Sequence, residues 1–563
     1  MTRTVSSHGF TALGPMQEAF ARLQGWRAHL MAIFLGAISA LAFAPFHFSL
    51  ILAFSFTGLI WMIDGARGST QWRKMVFARG WAFGFGFFLV SLHWIAFAFL
   101  VEPEKHAIFL FLPLILLPAG LGLIWGAGTF LAGAFWSASP SRIFIFAIFF
   151  SLAEFVRGTL FGGFPWNLPG TTWTPGGPLS QAASIGGVYW LTLMTVFVMS
   201  TPAALVDTRE TNSISQRLIP ALMAVVLVGG GWTWGAQRLN EPTMVYRQSI
   251  SLMDAGLPQD TKWEVPPSDV LVRYLELLDH GEQDDTDVVI WPEAAIPTAV
   301  LQDPNALDAI AAFIGERKLI LGTPRSERVR TDDPNGSGFA SLNPDARNWF
   351  NSLAVIDKSS ARTGQPLALY DKHKLVPFGE LSAASIIPFG RTLRGILPET
   401  LQQAVPTGFQ PGPGPEVSYP GEASGVRPFN ALICYEGLFP GIPRHKDARP
   451  RADWMVIISN DAWFGRGMGP EQHYAQNRYR AIETGLPIAR VASRGVTSMI
   501  DGLGRELARG GNVPNDPEGW RSSMVRTHLP VARAPTLFYR QGNIFFGLNF
   551  ILFSVLAFLS WRR

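Results

Sequence analysis

Three chemically reactive side chains each follow a short apolar run: Glu293, Lys372 and Cys434. Glu293 ends "VVIWPE", Lys372 lies in "LALYDKHKLVPFGE", and Cys434, the only cysteine of the chain, ends "NALIC". A carboxylate can take the proton of a thiol, whose ordinary pKa is about 8.5. An ammonium can stabilise both the thiolate and the oxyanion that forms when a carbonyl is attacked. The three residue types therefore predict covalent catalysis by a thiol at a carbonyl group.

Each of these residues also has an ordinary structural explanation. A lone cysteine such as Cys434 is usually a small buried hydrophobe. A glutamate after a strand is usually solvated, and a lysine between Asp371 and His373 usually lies on the surface. A catalytic role is favoured because all three residue types occur together after strand-like runs, and side chains at the strand ends of an α/β sheet can meet at one edge.

The elements that would position these side chains lie in residues 240–540, a region of mixed polarity. The runs "DVVIWPE" (287–293), "KLILGTP" (318–324) and "DWMVIISND" (453–461) predict buried strands that end in loops. By contrast, "DVLVRYLELLDHG" (269–281) has the apolar spacing of a helix. Strands alternating with helices predict an α/β domain.

The flanking sequence has the composition of a membrane protein. Hydrophobic residues make up 48% of the 563 residues and charged residues only 16%, well below the roughly 25% charged residues of soluble proteins. Apolar segments of about 20 residues, the length that crosses a bilayer, recur through the chain. We predict about eight transmembrane helices, at 28–46, 48–64, 76–100, 107–135, 143–157, 187–205, 218–236 and 543–560.

The charges of the loops predict the orientation of these spans. Lys and Arg residues concentrate in loops that fall on one side if the spans alternate, whereas residues 158–186 contain neither. By the positive-inside rule the basic side is cytoplasmic, so both termini are cytoplasmic and residues 240–540 lie outside the cytoplasm. The net charge of +4 follows from this topology, and we expect no nucleic-acid partner, because no basic patch is interleaved with aromatic residues.

Glu154 and Arg157 lie three residues apart in the fifth predicted span. Residues at this spacing face each other on a helix, and lone charges in a bilayer are costly, so we predict an ion pair. The pair would be structural, or it would face a phospholipid headgroup.

The motifs around the three reactive residues resemble those of a known superfamily. "WPEAAIP" (291–297), "YDKHKLVPFGE" (370–380) and "CYEGLFP" (434–440) are similar to the three signature segments of the nitrilase superfamily. The order of Glu, Lys and Cys matches that superfamily's triad. Together with the predicted spans, "FGGFPWNLPG" (161–170) and "SNDAWFG" (459–465), the chain is similar over nearly its whole length to the apolipoprotein N-acyltransferase family.

This resemblance implies a fold class and a domain organisation. The fold would be a membrane α-helical bundle joined to an α/β nitrilase-like αββα sandwich. The bundle of about seven helices would occupy residues 1–240, the periplasmic catalytic domain residues 241–540, and a C-terminal transmembrane helix residues 541–563.

The resemblance also implies a role for each site residue. Glu293 would be the general base, Lys372 the oxyanion stabiliser and Cys434 the nucleophile. The supporting residues would be Glu380, which would orient Lys372 or assist proton transfer, Asn351, which would support the site, and Tyr435 and Glu436, beside the nucleophile. Trp263 and Trp463 match tryptophans on mobile loops over the family's pocket. Glu436 could equally be a structural ion-pair partner, and each tryptophan an ordinary core aromatic.

The implied reaction is a two-step acyl transfer at the bacterial inner membrane. Cys434 would take a fatty acyl chain from a membrane phospholipid as a thioester. The α-amine of the N-terminal diacylglyceryl-cysteine of an apolipoprotein would then receive it. The reaction needs no metal or organic cofactor, and nothing in the sequence requires more than a monomer. The alternatives are a membrane-tethered amidohydrolase with the same triad, and a membrane scaffold or transport protein with an inactive outer domain.

Overall fold

The protein divides into two compact units, each built from more than one stretch of the chain. The computed structural model describes residues 14–206, 214–262, 264–279, 286–328, 347–377, 379–380, 408–445, 450–513, 516 and 519–561. Unit 1 comprises Met1–Pro242, Phe464–Glu483 and Pro535–Arg563. Unit 2 comprises Thr243–Trp463 and Thr484–Ala534.

Unit 1 is built from helices. They are α1 (Gly14–Ala21), α2 (Gly25–Ser39), α3 (Ile51–Arg67), α4 (Trp72–Ser91), α5 (Pro103–His106), α6 (Leu117–Ala134), α7 (Arg142–Thr159), α8 (Ala183–Ser200), α9 (Pro202–Leu205) and α10 (Ile214–Leu239). Later segments of the chain contribute three more helices, the first of which belongs to unit 1 except for its last residue. These are α14 (Met468–Thr484), α15 (Leu537–Gln541) and α16 (Ile544–Trp561).

Several helical segments of unit 1 are long and apolar enough to cross a membrane. Within the described residues there are five, or six if the bent pair Trp72–Ser91 and His93–Leu100 forms one span. The five are Gly25–Ala42, Pro103–Ala134, Arg142–Gly162, Leu179–Leu205 and Gln216–Leu239. Helix α3 has only 17 residues and α16 is apolar over Ile544–Leu559, so both fall short of the usual length of about 20 residues. Because both helices lie at predicted spans, the number of apolar helices is roughly consistent with the prediction of about eight transmembrane helices.

Glu154 and Arg157 form the predicted ion pair, and both side chains are fully buried in unit 1. Arg157 Nη2 lies 2.6 Å from Glu154 Oε2, and the Trp125 indole N–H donates to Glu154 Oε1 over 2.6 Å. Arg157 Nη1 donates to the carbonyl oxygens of Phe164 and Trp166. A charge pair is stable away from water only when its remaining hydrogen-bonding groups are satisfied. These contacts favour the structural explanation, in which the pair ties α7 to the segment 161–170.

Unit 2 is built around strands. They are β1 (Val245–Asp254), β2 (Val288–Ile290), β3 (Lys318–Arg328), β4 (Arg347–Ile356), β5 (Ala368–Asp371), β6 (Val417–Ser418), β7 (Phe429–Ile433), β8 (Trp454–Asn460), β9 (Ile488–Ser493), β10 (Ser498–Ile500), β11 (Glu506–Arg509), β12 (Gly511–Asn512) and β13 (Ser523–Pro530). Its helices are α11 (Pro267–Asp279), α12 (Pro304–Phe313) and α13 (Lys358–Thr363). The strands predicted at 287–293, 318–324 and 453–461 correspond to β2, β3 and β8.

These strands form two mixed sheets. One has the order β12-β13-β1-β2-β3-β4-β5 and the other the order β11-β10-β9-β8-β7-β6. Strands β1, β2 and β3 run parallel, as do β7, β8 and β9. One buried cluster joins Ile290 and Ile320 of the first sheet to Ile433 and Ile458 of the second, so the sheets pack face to face. A second cluster packs α11 and α12 on the first sheet. The predicted fold class, a helical membrane part with a nitrilase-like domain of mixed sheets, is confirmed.

Candidate active site

The three predicted catalytic residues all follow strand ends in unit 2. Glu293 comes three residues after β2, Lys372 directly after β5, and Cys434 directly after β7. Their exposed fractions are 7%, 1% and 9%. The structure therefore places a carboxylate, an ammonium and a thiol in one buried region. The expectation that they meet at one edge of a single sheet is wrong, because Glu293 and Lys372 follow strands of the first sheet and Cys434 follows a strand of the second.

Cys434 opens a tight turn. It begins the 3₁₀ segment Cys434–Leu438 and has a φ of +51°. This left-handed conformation is rare for residues other than glycine, and where it occurs at a reactive side chain it presents that side chain from a sharp bend. The thiol thus lies at the point where the chain leaves β7.

Glu436 ties the turn of Cys434 to the segment that carries Lys372. Its Oε2 accepts the Ile433 N–H over 2.8 Å. Its Oε1 accepts the Tyr370 hydroxyl and the backbone N–H groups of His373 and Lys374 over 2.8 to 3.0 Å. Both oxygens are thus committed to hydrogen bonds, so Glu436 acts here as a cross-link. Burial raises the pKa of the Glu436 carboxyl, while these hydrogen bonds oppose the rise.

One ammonium lies between two carboxylates at the centre of the site. Lys372 Nζ lies 3.3 Å from Glu293 Oε1 and 2.9 Å from Glu380 Oε1. Asn351 Nδ2 donates to the same two oxygens, over 2.6 and 2.8 Å. The second oxygen of Glu293 accepts the Asn460 backbone N–H over 2.8 Å. Glu380 and Asn351, both predicted as supporting residues, therefore contact Lys372 or Glu293 directly.

The electrostatics of the site keep the resting thiol protonated. Burial raises the pKa of the Cys434 thiol well above its usual value, and the Glu293 carboxylate raises it further. Lys372 and a hydrogen bond with Ser459 oppose this rise without cancelling it. Burial lowers the pKa of the Lys372 ammonium, but the carboxylates of Glu293 and Glu380 outweigh burial and raise it. A thiol of this kind would need a base to attack a carbonyl, and the Glu293 carboxylate is the strongest of the acidic influences on it.

The rate of alkylation of Cys434 is expected to keep rising with pH up to at least pH 9.5. Because the folded-state pKa of the thiol is raised, its reactive thiolate stays scarce where an ordinary thiol, with a pKa of about 8.5, is largely ionised. Labelling with iodoacetamide followed by mass spectrometry measures the alkylation of Cys434 alone, since the chain has a single cysteine. Denatured protein provides the control. A plateau below pH 8 in the folded protein would instead show a resting thiolate–ammonium pair.

Of the remaining predicted residues, Tyr435 and Trp463 have less distinctive surroundings. Tyr435 is buried and packs edge-on against Phe439, with ring centroids 5.1 Å apart. Trp463 lies in the 3₁₀ turn Asp461–Phe464 and is 38% exposed. Trp263 lies outside the described residues. The role of either tryptophan over a pocket therefore stays a prediction.

Sequence reasoning missed several charged residues around the site. Lys262 is almost fully buried, and burial lowers the pKa of its ammonium to about 8 against the opposing charges of Glu293 and Asp254. Asp371, beside Lys372, is held by Arg325, whose Nε donates to its Oδ1 over 2.8 Å. Lys262 follows no apolar run and so has no local signal, whereas Asp371 follows the run "LALY" directly and could have been found from it. Among the described residues, no group of three or more His, Cys, Asp or Glu side chains could hold a metal ion.

The fold and this site define the class of the protein: a carbon–nitrogen hydrolase domain in a chain with membrane-spanning helices. The family model of the carbon-nitrogen hydrolases matches residues 255–516, which include all three predicted catalytic residues. A second model, that of the apolipoprotein N-acyltransferase N-terminal domain, matches residues 35–201. The chain belongs to the apolipoprotein N-acyltransferase family, which confirms the resemblance seen in the motifs.

Curated relatives support this assignment over almost the full length. A protein of Rhodopseudomonas palustris is 34% identical over 549 residues, which cover 96% of each chain. One of Bradyrhizobium diazoefficiens is 34% identical, with 95% of each chain covered. One of Allorhizobium ampelinum is 35% identical over 86% of this chain and 87% of its own. All three carry the name apolipoprotein N-acyltransferase.

Proposed function

We propose that this protein transfers a fatty acyl chain from a membrane phospholipid to the α-amine of the N-terminal diacylglyceryl-cysteine of apolipoproteins. The relatives' names support an N-acyltransferase acting on apolipoproteins. Those names do not favour the alternative of an amidohydrolase for small amides. The observation that carries the proposal is the position of the only thiol, at a strand end beside the pair formed by Lys372 and Glu293.

The first step forms the acyl-enzyme. Glu293 takes the proton of the Cys434 thiol as the sulfur attacks the carbonyl carbon of the phospholipid ester. The Lys372 ammonium stabilises the oxyanion that forms. The ester C–O bond then breaks, and the leaving oxygen takes the proton from Glu293. The products are a thioester on Cys434 and a lysophospholipid.

The second step transfers the acyl chain. The α-amine of the acceptor attacks the thioester carbonyl, and Glu293 takes a proton from the nitrogen as the C–N bond forms. The C–S bond breaks, and Glu293 returns the proton to the sulfur. Splitting the transfer into two steps is favourable because a thioester remains reactive toward amines. Glu380, Asn351 and Glu436 act by positioning these groups.

We also propose the placement of the protein in the inner membrane. The apolar helices of unit 1 support a multi-pass membrane protein. The distribution of Lys and Arg favours cytoplasmic termini and a periplasmic catalytic domain. The proposed segments are the bundle 1–240, the catalytic domain 241–540 and the helix 541–563. At the bilayer surface the site would reach both substrates, since each is anchored in lipid.

Intact-protein mass spectrometry tests this proposal. Incubation of the detergent-solubilised protein with phospholipid, without acceptor, is expected to add the mass of one fatty acyl group, and peptide mapping to place it on Cys434. A diacylglyceryl-cysteine peptide should then remove the added mass and appear N-acylated. Folded protein that gains no acyl group from phospholipids of varied headgroup and chain would contradict the proposal. It would favour the alternative, hydrolysis of small amides.

A further inference from the structure

Two buried side-chain amides meet next to the active site, and neither is fully hydrogen-bonded. Asn460 Nδ2 donates to Gln259 Oε1 over 2.9 Å. The two residues are only 6% and 5% exposed. Gln259 Nε2 and Asn460 Oδ1 have no hydrogen-bond partner within the part of the chain that the structure describes. Buried polar atoms are nearly always paired, so one unpaired donor beside one unpaired acceptor calls for an explanation.

This property of the amide pair does not depend on how each amide is oriented. The oxygen and nitrogen of an amide are interchangeable positions in most structures. If both amides are turned over, the mutual bond runs from Gln259 to Asn460, and one N–H group and one oxygen again remain unpaired. The pair therefore offers one donor and one acceptor in either arrangement.

The amide pair is connected to both the base and the nucleophile. The backbone N–H of Asn460 donates to Glu293 Oε2 over 2.8 Å. The preceding residue, Ser459, hydrogen-bonds to the Cys434 thiol. A group bound by the amide pair would therefore lie close to the atoms that react.

We propose that Gln259 and Asn460 form the subsite for the first residue of the acceptor, an inference that rests on the proposed function. In the orientation that the structure has, Gln259 Nε2 donates to the carbonyl oxygen of that residue, and Asn460 Oδ1 accepts an N–H from its α-amine. In an extended chain the nitrogen and the carbonyl of one residue point to the same side, as they do between antiparallel strands. An acyl ester offers acceptors only, so the pair distinguishes the acceptor from the acyl donor.

The two half-reactions separate this role from a purely structural one. The probes are phosphatidylethanolamine in detergent micelles as the acyl donor, and two acceptors. One acceptor is an S-diacylglyceryl-cysteinyl peptide; the other is S-diacylglyceryl-cysteamine, which keeps the amine and lacks the carbonyl. Gln259→Met, which removes both hydrogen-bonding atoms at similar volume, should leave acylation of Cys434 unchanged. It should lower transfer to the peptide about 10- to 100-fold, the loss expected when buried amide groups lose their partners. Transfer to the cysteamine analogue should be much less affected.

A matched control lies at the start of β1. Gln248 is also a partly buried amide with one bond, to the Gly425 carbonyl oxygen over 2.8 Å, and one unpaired atom among the described residues. Gln248→Met should leave both half-reactions unchanged. If Gln259→Met does not fold, Gln259→Glu keeps the oxygen that accepts from Asn460 and removes the amide donor, with the same expected pattern.

The outcomes distinguish this inference from the proposed function. Wild-type protein that forms no acyl-enzyme would refute the proposed function itself. If the wild type is acylated but Gln259→Met slows both half-reactions equally, the amide pair only ties the loop after β1 to the end of β8, and the subsite does not exist. An equal loss with both acceptors would likewise overturn the subsite, because the missing carbonyl would then make no difference.

Discussion

Replacing Cys434 with alanine is expected to abolish acyl transfer, with a loss on the order of 10⁴-fold or more. The reaction then has no nucleophile that can hold the acyl chain between the two substrates. The variant should keep its fold, because alanine retains the Cβ atom and meets the same backbone requirement at a φ of +51°. Transfer is measured with phospholipid and a diacylglyceryl-cysteine peptide, and the acyl adduct by intact mass.

The variant Cys434→Ser tests whether a hydroxyl can replace the thiol. A hydroxyl has nearly the same shape as the thiol but a far higher pKa, so Glu293 can activate it only poorly. We expect the serine variant to remain folded and to transfer little or no acyl chain. Transfer by the alanine variant at more than about one per cent of the wild-type rate would show that the amine attacks the phospholipid directly, without covalent catalysis.

The sequence predicted the elements and the reactive residues of the site because both leave local signals. Glu293 and Cys434 each follow an apolar run that the fold uses as a buried strand, and the polar residue after such a run has to lie at the sheet edge. The spans were visible for the same reason, although α3, with 17 residues, is too short to meet the length criterion. The motifs then supplied the order of Glu, Lys and Cys.

What the sequence could not give are contacts between distant segments. Glu436 could be read as an ion-pair partner, yet it accepts hydrogen bonds from Tyr370 and His373, which lie 66 and 63 residues away. Gln259 and Asn460 are separated by 201 residues. No periodicity or local spacing encodes such pairs. The pair of Gln259 and Asn460 arises only when the loop after β1 meets the end of β8, a strand of the other sheet.

These contacts between residues distant in sequence stabilise an arrangement of charged groups in the site that the charges alone would not favour. Two carboxylates lie within hydrogen-bonding distance of one ammonium, and the thiol beside them is kept neutral by burial. Asn351 bridges the carboxylates, while Glu436 fixes the turn of Cys434 to the segment of Lys372. In the proposed mechanism Lys372 would therefore have two tasks, to hold these carboxylates and to stabilise the oxyanion.

Replacing Lys372 with methionine is therefore expected to lower acylation of Cys434 by a factor on the order of 10³, the loss typical when a group that stabilises an oxyanion is removed. Methionine has similar length and no charge. It leaves the buried carboxylates of Glu293 and Glu380 with only the Asn351 amide between them, and like charges so close disfavour both being ionised. Removing one partner of a buried ion pair should also lower the free energy of unfolding, by about 3 to 5 kcal/mol.

Lys374→Met provides the matched control for this variant. Lys374 lies two residues away in the same segment, is partly exposed, and its ammonium lies over the Phe439 ring, 4.8 Å from the centroid. Its contact with Glu436 comes from the backbone N–H, which methionine preserves, so acylation should be unchanged. Acylation rates from rapid-quench mass spectrometry and unfolding in denaturant together separate the two expected effects. A Lys372→Met protein that is acylated as fast as the wild type would remove Lys372 from the mechanism. A comparable loss in Lys374→Met would instead assign the effect to the positive charge of the segment as a whole.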